Sequence, residues 1–121
     1  MSKFKELGVW EKSHNLTLHI YKLTMRFPSE EKYGLTSQIR KAASSIPANI
    51  AEGQGRSNNK EFINFLRIAK GSATELEYWL LLSHELQYLD INEYTDLLKQ
   101  NHKILAMLNN LITSLSNFPK K

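Results

Sequence analysis

Residues 58–88, NNKEFINFLRIAKGSATELEYWLLLSHELQY, form the longest helical pattern in the sequence. Apolar residues recur there at three- and four-residue steps, the spacing that places them along one side of an α-helix. The predicted inner stripe consists of Phe62, Phe65, Leu66, Ala69, Ala73, Leu76 and Leu80. Asn58 is a candidate N-cap, and Glu61 three residues later makes the pair a variant of the capping box. At 1.5 Å per residue this helix is about 46 Å long, which is long for so small a protein.

Three further helical patterns accompany this one. The predicted helices span residues 9–27, 35–52, 58–88 and 91–116. Gly53 and Gly55 are expected to end the second helix, and Asp90 with Glu93 repeats the capping arrangement at the fourth. Because the connections are short, neighbouring helices should run antiparallel. The sequence therefore predicts one all-α domain over residues 1–121, an up-down-up-down four-helix bundle.

Pro47 lies inside the second predicted helix. A proline there removes one backbone N–H and crowds the carbonyl of Ala43, at a cost of roughly 3 kcal/mol in a helix interior. Since the apolar spacing continues to Ile50, we expect a kink at Pro47 and not the end of the helix. Small side chains around it would let a neighbouring helix approach closely, namely Ala42, Ala43, Ser44, Ser45, Ala48 and Ala51.

Composition limits the class of protein. The chain has 121 residues, 41% of them hydrophobic and 23% charged, which is typical of a folded globular domain. It has no cysteine, which excludes disulfides and thiolate metal sites and suits a reducing cytoplasm. No stretch approaches the roughly 20 apolar residues of a membrane span, and no signal-peptide core follows the first lysines. We therefore expect a soluble cytoplasmic protein without a membrane partner, and the net charge of +4 is only a weak sign of acidic partners.

The apolar run Tyr78-Trp79-Leu80-Leu81-Leu82 turns through more than a full helical circumference. A bundle that buries Leu80 must leave some of these residues facing outward. Self-association would cover them, and the candidate oligomer-interface residues are Tyr78, Trp79, Leu81 and Leu82. The alternative is that a crowded bundle interior takes up all of them within one subunit.

Several ordered motifs resemble one protein family. They are GLTSQIRKAA at 34–43, SIPANIAEG at 45–53, Arg56 and FLRIAKGSATEL at 65–76. In this combination the chain, from about Trp10 to Leu89, resembles the bacterial four-helix-bundle proteins encoded within intervening sequences of 23S rRNA genes. The resemblance implies a ring-shaped homopentamer, like the related accessory proteins of diversity-generating retroelements, which bind nucleic acid and a reverse transcriptase. It implies the fold more strongly than a function.

Two interpretations compete for the polar positions that match the family motif. In the structural one, Glu52 pairs with an arginine and Asn49 satisfies backbone groups exposed by Pro47, so that these residues and Gly53 form a structural motif. In the functional one, the arginines at 40, 56 and 67 contact phosphate. The structural interpretation is favoured for Glu52 and Asn49.

Basic residues concentrate in the second and third helices and their connection. The nucleic-acid-binding candidates are Arg40, Lys41, Arg56, Lys60, Arg67 and Lys70, six of the sixteen Lys and Arg. Repeated around a ring, such patches would form a strong positive field. The segment 53–60 also leads into a helix N-terminus that favours an anion, although a plain flexible turn explains it equally well. Exposed aromatic residues are scarce outside Tyr78-Trp79, which argues against single-strand stacking, with Tyr21, Tyr33 and Tyr88 as the remaining candidates.

Complete catalytic sets are missing from the sequence. His84-Glu85 is followed by Tyr88 where a zinc protease needs a second His, and Glu11 with His14 is the one Glu-x-x-His pair where a di-iron bundle needs two. We predict no catalytic residue, no metal and no cofactor. The working hypothesis is a non-enzymatic homo-oligomer, a pentamer, that binds RNA or DNA without base-specific readout. The alternatives are an adaptor or scaffold ring that binds another protein, such as a reverse transcriptase, and more distantly a small-anion site at 53–60.

Overall fold

The computed structural model describes residues 3–117, which fold into four α-helices. The helices are α1 (Gly8–Thr24), α2 (Leu35–Gln54), α3 (Asn59–Glu85) and α4 (Ile91–Ser116). Short 3-10 turns at Lys3–Glu6 and Ser29–Glu31 precede α1 and connect it to α2. No strand occurs in this part of the chain. The all-α class and the four predicted helices are confirmed.

Each helix packs antiparallel to the next, in the cyclic order α1–α2–α3–α4–α1. Contacts near both ends of a helix pair establish its direction, because a later residue of one helix meets an earlier residue of the other. For α1 and α2 the contacts are Thr17 with Ala43 and Thr24 with Arg40, and for α2 and α3 they are Ser45 with Ser72 and Gly53 with Phe62. For α3 and α4 they are Ala73 with Asn101 and His84 with Tyr94. For α1, with the turn after it, and α4 they are His19 with Gln100 and Arg26 with Glu93. Up-down-up-down packing is therefore observed within the chain.

The core runs along the bundle axis and takes one side of each helix. Five residues of the predicted α3 stripe are fully buried, from Leu66 to Leu80, while Phe62 and Phe65 are half-buried near the start of α3. Asn101 of α4 is also fully buried and donates to the carbonyl of Ala73 at 2.8 Å. Polar residues cover the outer sides, and no helix described here combines the length and apolar character that crossing a bilayer requires.

Helix α2 continues through Pro47 to Gln54. The carbonyl of Ala43 lacks a helical donor because Pro47 has no N–H. The hydroxyl of Thr17 lies 3.1 Å from this oxygen and 2.8 Å from the carbonyl of Ser13, so the two carbonyls share its one proton. Asn49 serves a different group, since its Nδ2 donates to the carbonyl of Ser45 at 2.8 Å. A side chain from α1 thus satisfies the carbonyl freed by Pro47, where the sequence led us to expect Asn49.

Gly53 lies within the last turn of α2, where the sequence predicted that it would end the helix. A Cβ there would come within 2.7 Å of the Cβ of Phe65 and 2.9 Å of a ring carbon of Phe62. Glycine therefore lets α2 approach the start of α3 closely, a packing role that the helix-ending interpretation missed.

The helix ends show which local signals were reliable. Asp90 and Glu93 form the predicted capping box, and the side chain of Asn58 accepts from the N–H of Glu61. Helix α3 ends at Glu85, three residues earlier than predicted, because Gln87 adopts a left-handed conformation with φ of 66°. Helix α1 likewise ends at Thr24, three residues earlier than predicted. The N–H groups of residues 25–27 bond to carbonyls three residues back and not four, so the α-helical pattern stops there.

Candidate nucleic-acid interface

The basic residues of α2 face a groove between α1 and α2, which we call the α1–α2 groove. It has a volume of about 480 Å³ and is lined by Tyr21, Lys32, Tyr33, Thr36, Ser37, Arg40, Lys41 and Ser44. Of the six predicted nucleic-acid-binding residues, Arg40 and Lys41 lie here. Lys32, which the sequence analysis did not single out, adds a third cation. No Asp or Glu is among these lining residues, so the groove is a locally positive surface.

Arg40 is held in place by α1. Its Nε donates to Thr24 Oγ1 at 2.8 Å, and its Nη2 donates to the carbonyl of Tyr21 at 3.2 Å. The guanidinium also lies over the Tyr21 ring, 4.6 Å from the ring centroid. A guanidinium carries five N–H donors, so these two bonds leave others directed at a ligand. Arg40 is therefore oriented before anything binds, which lowers the entropic cost of a contact.

Lys32 and Tyr33 form the other side of the α1–α2 groove. The Lys32 Nζ lies 5.4 Å from the centroid of the Tyr33 ring, which is 87% exposed. The neighbouring Glu31 is occupied elsewhere: its carboxylate accepts the N–H of Leu35 at 3.2 Å and the hydroxyl of Tyr88 at 3.0 Å. The bond to Glu31 raises the pKa of Tyr88. Because of these contacts, neither Glu31 nor Tyr88 takes part in the groove.

The candidate anion segment at 53–60 has partners within the chain. Arg56 pairs with Glu52 at 2.9 Å and lies over the ring of Phe65, 4.7 Å from its centroid. At the N-terminus of α3, the side chain of Asn58 already accepts the N–H of Glu61 at 2.9 Å. Arg56 and Asn58 are therefore already engaged within the chain, and Arg56 also contacts α3 through Phe65, while Lys60 has no such partner among the described residues.

Asn49 belongs to a polar contact between α2 and α3. Its Nδ2 also donates to Ser45 Oγ at 3.0 Å, and that hydroxyl lies 2.8 Å from Ser72 Oγ. Together with the Glu52–Arg56 pair and the close approach at Gly53, these contacts favour the structural interpretation of this motif.

The remaining basic candidates lie on the outward side of α3, the α3 outer face. Its residues are all exposed and follow helical steps: Lys60, Asn64, Arg67, Gly71, Thr74, Tyr78 and Leu81. Lys70 lies beside this row and is half-buried. Within residues 3–117, Lys60, Arg67 and Lys70 donate no side-chain hydrogen bond and form no ion pair. They do not line the α1–α2 groove.

The four candidate interface residues divide into two pairs. Tyr78 and Leu81 are 54% and 39% exposed and line a shallow groove of about 300 Å³ together with Tyr94. Trp79 and Leu82 are half-buried and pack against the core, and Trp79 Nε1 donates to Glu75 at 3.0 Å. The outward-facing surface therefore consists of Tyr78 and Leu81, while the bundle takes up the other two.

Comparison with known proteins agrees with this architecture. Residues 5–110 match the model of the family described as 23S rRNA-intervening sequence protein. The chain belongs to this family. A crystal structure of a protein of unknown function from the S23 ribosomal protein family of Bacteroides thetaiotaomicron superposes with a TM-score of 0.77 at 30% identity. The alignment covers 86% of this chain and 97% of that one. No curated protein matches the sequence.

This member of the 23S rRNA-intervening sequence protein family has a second cationic groove, which we call the α1–α4 groove. Its volume is about 370 Å³, and it is lined by Lys12, Asn15, Asp96, Lys99, Gln100, Lys103 and Ile104. The family match extends over both grooves. Unlike the α1–α2 groove, this one contains a carboxylate, and Asp96 accepts from Gln100 Nε2 at 2.8 Å.

Sequence reasoning missed Lys32, Thr24 and the lysines of the α1–α4 groove. The spacing of Lys99 and Lys103, four residues apart on one side of a helix, was an available local signal. Lys32 and Thr24 had no such signal, because their importance depends on α1 folding back against α2. The motifs of this family emphasise α2 and α3, which directed attention away from α1.

Proposed function

We propose that this protein is a cytoplasmic, non-enzymatic, homo-oligomeric binding protein that engages RNA or DNA through its basic surface without reading base sequence. The α1–α2 groove carries the proposal, because Lys32, Arg40 and Lys41 converge there with no carboxylate among the lining residues. Each of three other grooves contains an acid, namely Asp96, Glu75 or Glu77. Phosphate is the anion that repeats along a nucleic acid, and Arg and Lys are its usual partners.

A binding role without base readout agrees with the kind of groups present. Lysine, arginine and hydroxyl side chains contact phosphate and sugar oxygens in any sequence. Lys60 and Arg67 add a separate basic surface on the first half of the α3 outer face, before the stretch from Gly71 to Leu81 that the proposed assembly would cover. Contact with several phosphates would give the binding a steep dependence on salt, with a slope of about −0.9 per phosphate for duplex DNA and about −0.7 for single strands.

Two of the four histidines, His14 and His84, have structural contacts that support a non-enzymatic role. His14 stacks on Trp10 with ring centroids 4.9 Å apart, and His84 stacks on Tyr94 at 4.7 Å. His84 Nδ1 also lies 3.0 Å from the carbonyl of Leu89, at the end of α3. These rings therefore act as packing and end-of-helix groups in the proposed binding protein.

The α3 outer face supports the oligomeric part of the proposal. Gly71 lies in the middle of a 27-residue helix with open space where a Cβ would be. A glycine there costs the helix about 1 kcal/mol relative to alanine, with no packing within the subunit to explain it. Close approach of another subunit would explain it, and the exposed Tyr78 and Leu81 lie about two and three turns further along the same face. The family resemblance makes a ring-shaped pentamer the proposed assembly, with a kink at Pro47 shaping α2 for the ring.

Native mass tests the assembly. Tyr78→Glu with Leu81→Glu should lower the mass while helical content measured by circular dichroism is unchanged, since both side chains are exposed in the subunit. Leu18→Glu, at an equally exposed position of α1, is the matched control and should leave the mass unchanged. An unchanged mass in the double variant would overturn the proposed interface.

Fluorescence anisotropy of labelled structured RNA and matched duplex DNA, titrated over a salt series with oligomer of known mass, tests the function. Affinity should fall log-linearly with salt, and Arg40→Glu with Arg67→Glu should remove most of it. Absence of binding at low salt would contradict the proposal. That outcome would favour the second candidate, a protein adaptor whose docking site is the apolar surface of Tyr78, Leu81 and Tyr94.

A further inference from the structure

We infer that the α1–α2 groove is a site for an unpaired nucleotide, whose base stacks on Tyr33 while the adjoining phosphates contact Arg40 and Lys41. The inference rests on the proposed nucleic-acid function and assigns to it a preference for single-stranded segments. It differs from the expectation drawn from the sequence, in which scarce exposed aromatic rings argued against stacking.

The exposure of Tyr33 is the first observation. Its ring is 87% exposed and lies in the connection between α1 and α2, where it contributes nothing to the core. Single exposed apolar side chains are common and need no explanation. Tyr33 differs because Tyr21, 42% exposed, lines the same groove, together with three cations. Tyr21 carries the Arg40 guanidinium over its ring, so Tyr33 is the ring open to a base. An accessible ring among cations is the combination found in single-strand binding sites, which join base stacking to backbone attraction.

The arrangement of the charges is the second observation. Lys32 lies over one ring and Arg40 over the other, at 5.4 and 4.6 Å from the ring centroids. The cations and the rings are therefore interleaved within one groove, so a bound strand would meet both. Because two hydrogen bonds to α1 orient Arg40, its remaining donors are available to a phosphate without reorganisation. Thr36, Ser37 and Ser44 add hydroxyl groups suited to sugar or phosphate oxygens.

The open ring of Tyr33 is the third observation, and it separates single strands from duplexes. The groove is an open depression of about 480 Å³, which would hold a nucleotide on its surface without enclosing it. In a duplex the base faces are covered by neighbouring bases, so Tyr33 has nothing to stack on. An unpaired base in a loop, a bulge or a single strand presents its face, which is how proteins commonly recognise RNA.

The test compares two labelled oligonucleotides of equal length and charge, one carrying uracil bases and one abasic at its central positions, by anisotropy at fixed salt. Wild-type protein should bind the base-bearing strand roughly tenfold more tightly, since stacking of one base is worth a factor of this order. Tyr33→Ala should remove this difference while leaving affinity for the abasic strand and for duplex unchanged. Tyr33→Phe, which keeps the ring, should restore it.

Ile91→Ala is the control, an exposed apolar residue at the start of α4 that belongs neither to the groove nor to the proposed subunit interface and should leave the base-dependent difference intact. Repeating the comparison with oligodeoxythymidine shows whether RNA and DNA strands share the site. Equal binding of base-bearing and abasic strands by the wild type, with binding that is still salt-dependent, would overturn the stacking site and leave the proposed function standing. Absence of binding to any strand or duplex would overturn both.

Discussion

The α1–α2 groove and the α1–α4 groove share helix α1, and each is lined by three cationic side chains. They differ in what surrounds those cations. The α1–α2 groove has two tyrosine rings and no carboxylate, whereas the α1–α4 groove contains Asp96. They also differ in how firmly a cation is positioned, because Thr24 and Tyr21 of α1 hold Arg40 by hydrogen bonds. The number of basic residues alone would rank the two grooves equally.

This difference shows that the neighbours of a cation decide whether it is available to a ligand. A lysine near a carboxylate loses part of its attraction for an incoming phosphate through a competing charge. Arg56 is the extreme case, because Glu52 and the ring of Phe65 occupy its guanidinium. Sequence clusters of Lys and Arg therefore overstate a binding surface until their partners are known.

The largest expected effect comes from reversing charge in one groove at a time. Arg40→Glu with Lys41→Glu should weaken nucleic-acid binding about a thousandfold at low salt, since each reversal replaces an attraction of about 1 kcal/mol by a similar repulsion, about 4 kcal/mol for the two. Lys99→Glu with Lys103→Glu makes the same charge change in the α1–α4 groove and should weaken binding less than about threefold. Anisotropy titrations measure both, with circular dichroism confirming the fold. Equal losses would show that net charge, and not the groove, controls binding.

Two threonines of α1 sharpen the comparison by separating positioning from stability. Thr24→Val removes the acceptor that orients Arg40 and should weaken binding about fivefold, the cost of freeing one long side chain. Thr17→Val instead leaves the carbonyl of Ala43 without a donor and should lower the free energy of unfolding by about 1–3 kcal/mol, with no change in binding.

For both variants, urea denaturation measures the free energy of unfolding and anisotropy measures nucleic-acid binding. A double-mutant cycle of Thr17→Val with Pro47→Ala provides the control. An alanine in place of the proline would supply the missing N–H, so Thr17→Val should then lower the free energy of unfolding much less. An equal cost of Thr17→Val in both backgrounds would show that the Thr17 hydroxyl does not compensate for Pro47.

The two threonines also show which features of the fold local sequence patterns can predict. The four helices and the N-caps of α3 and α4 were predicted because their signals repeat or lie within three residues, as in Asp90 and Glu93. The end of α3 was missed because the left-handed residue is Gln87, a type without a preference for that conformation. The partners Thr17 and Ala43 are 26 residues apart, and no periodicity reports such a pair.

The candidate site was predictable only in part, for the same reason. Arg40 and Lys41 were predicted because they are adjacent basic residues within a family motif. Lys32 was not assigned to the site, since only the return of α2 against α1 brings it to the groove. Tyr21 and Tyr33 were weak candidates for stacking, because their exposure depends on packing that the sequence does not show.

The smallest expected effect comes from making the α1–α4 groove resemble its neighbour. In a background with Arg40→Gln and Lys41→Gln, Asp96→Asn should raise the remaining affinity about twofold, because it removes a competing charge of well under about 1 kcal/mol beside exposed lysines. Asparagine retains an acceptor for Gln100, so the local structure should persist. Glu85→Gln, which removes the same charge at the exposed end of α3, is the control. If Asp96→Asn alone raises affinity, the carboxylate is what distinguishes the two grooves; if both substitutions raise it equally, the effect belongs to net charge and the comparison fails.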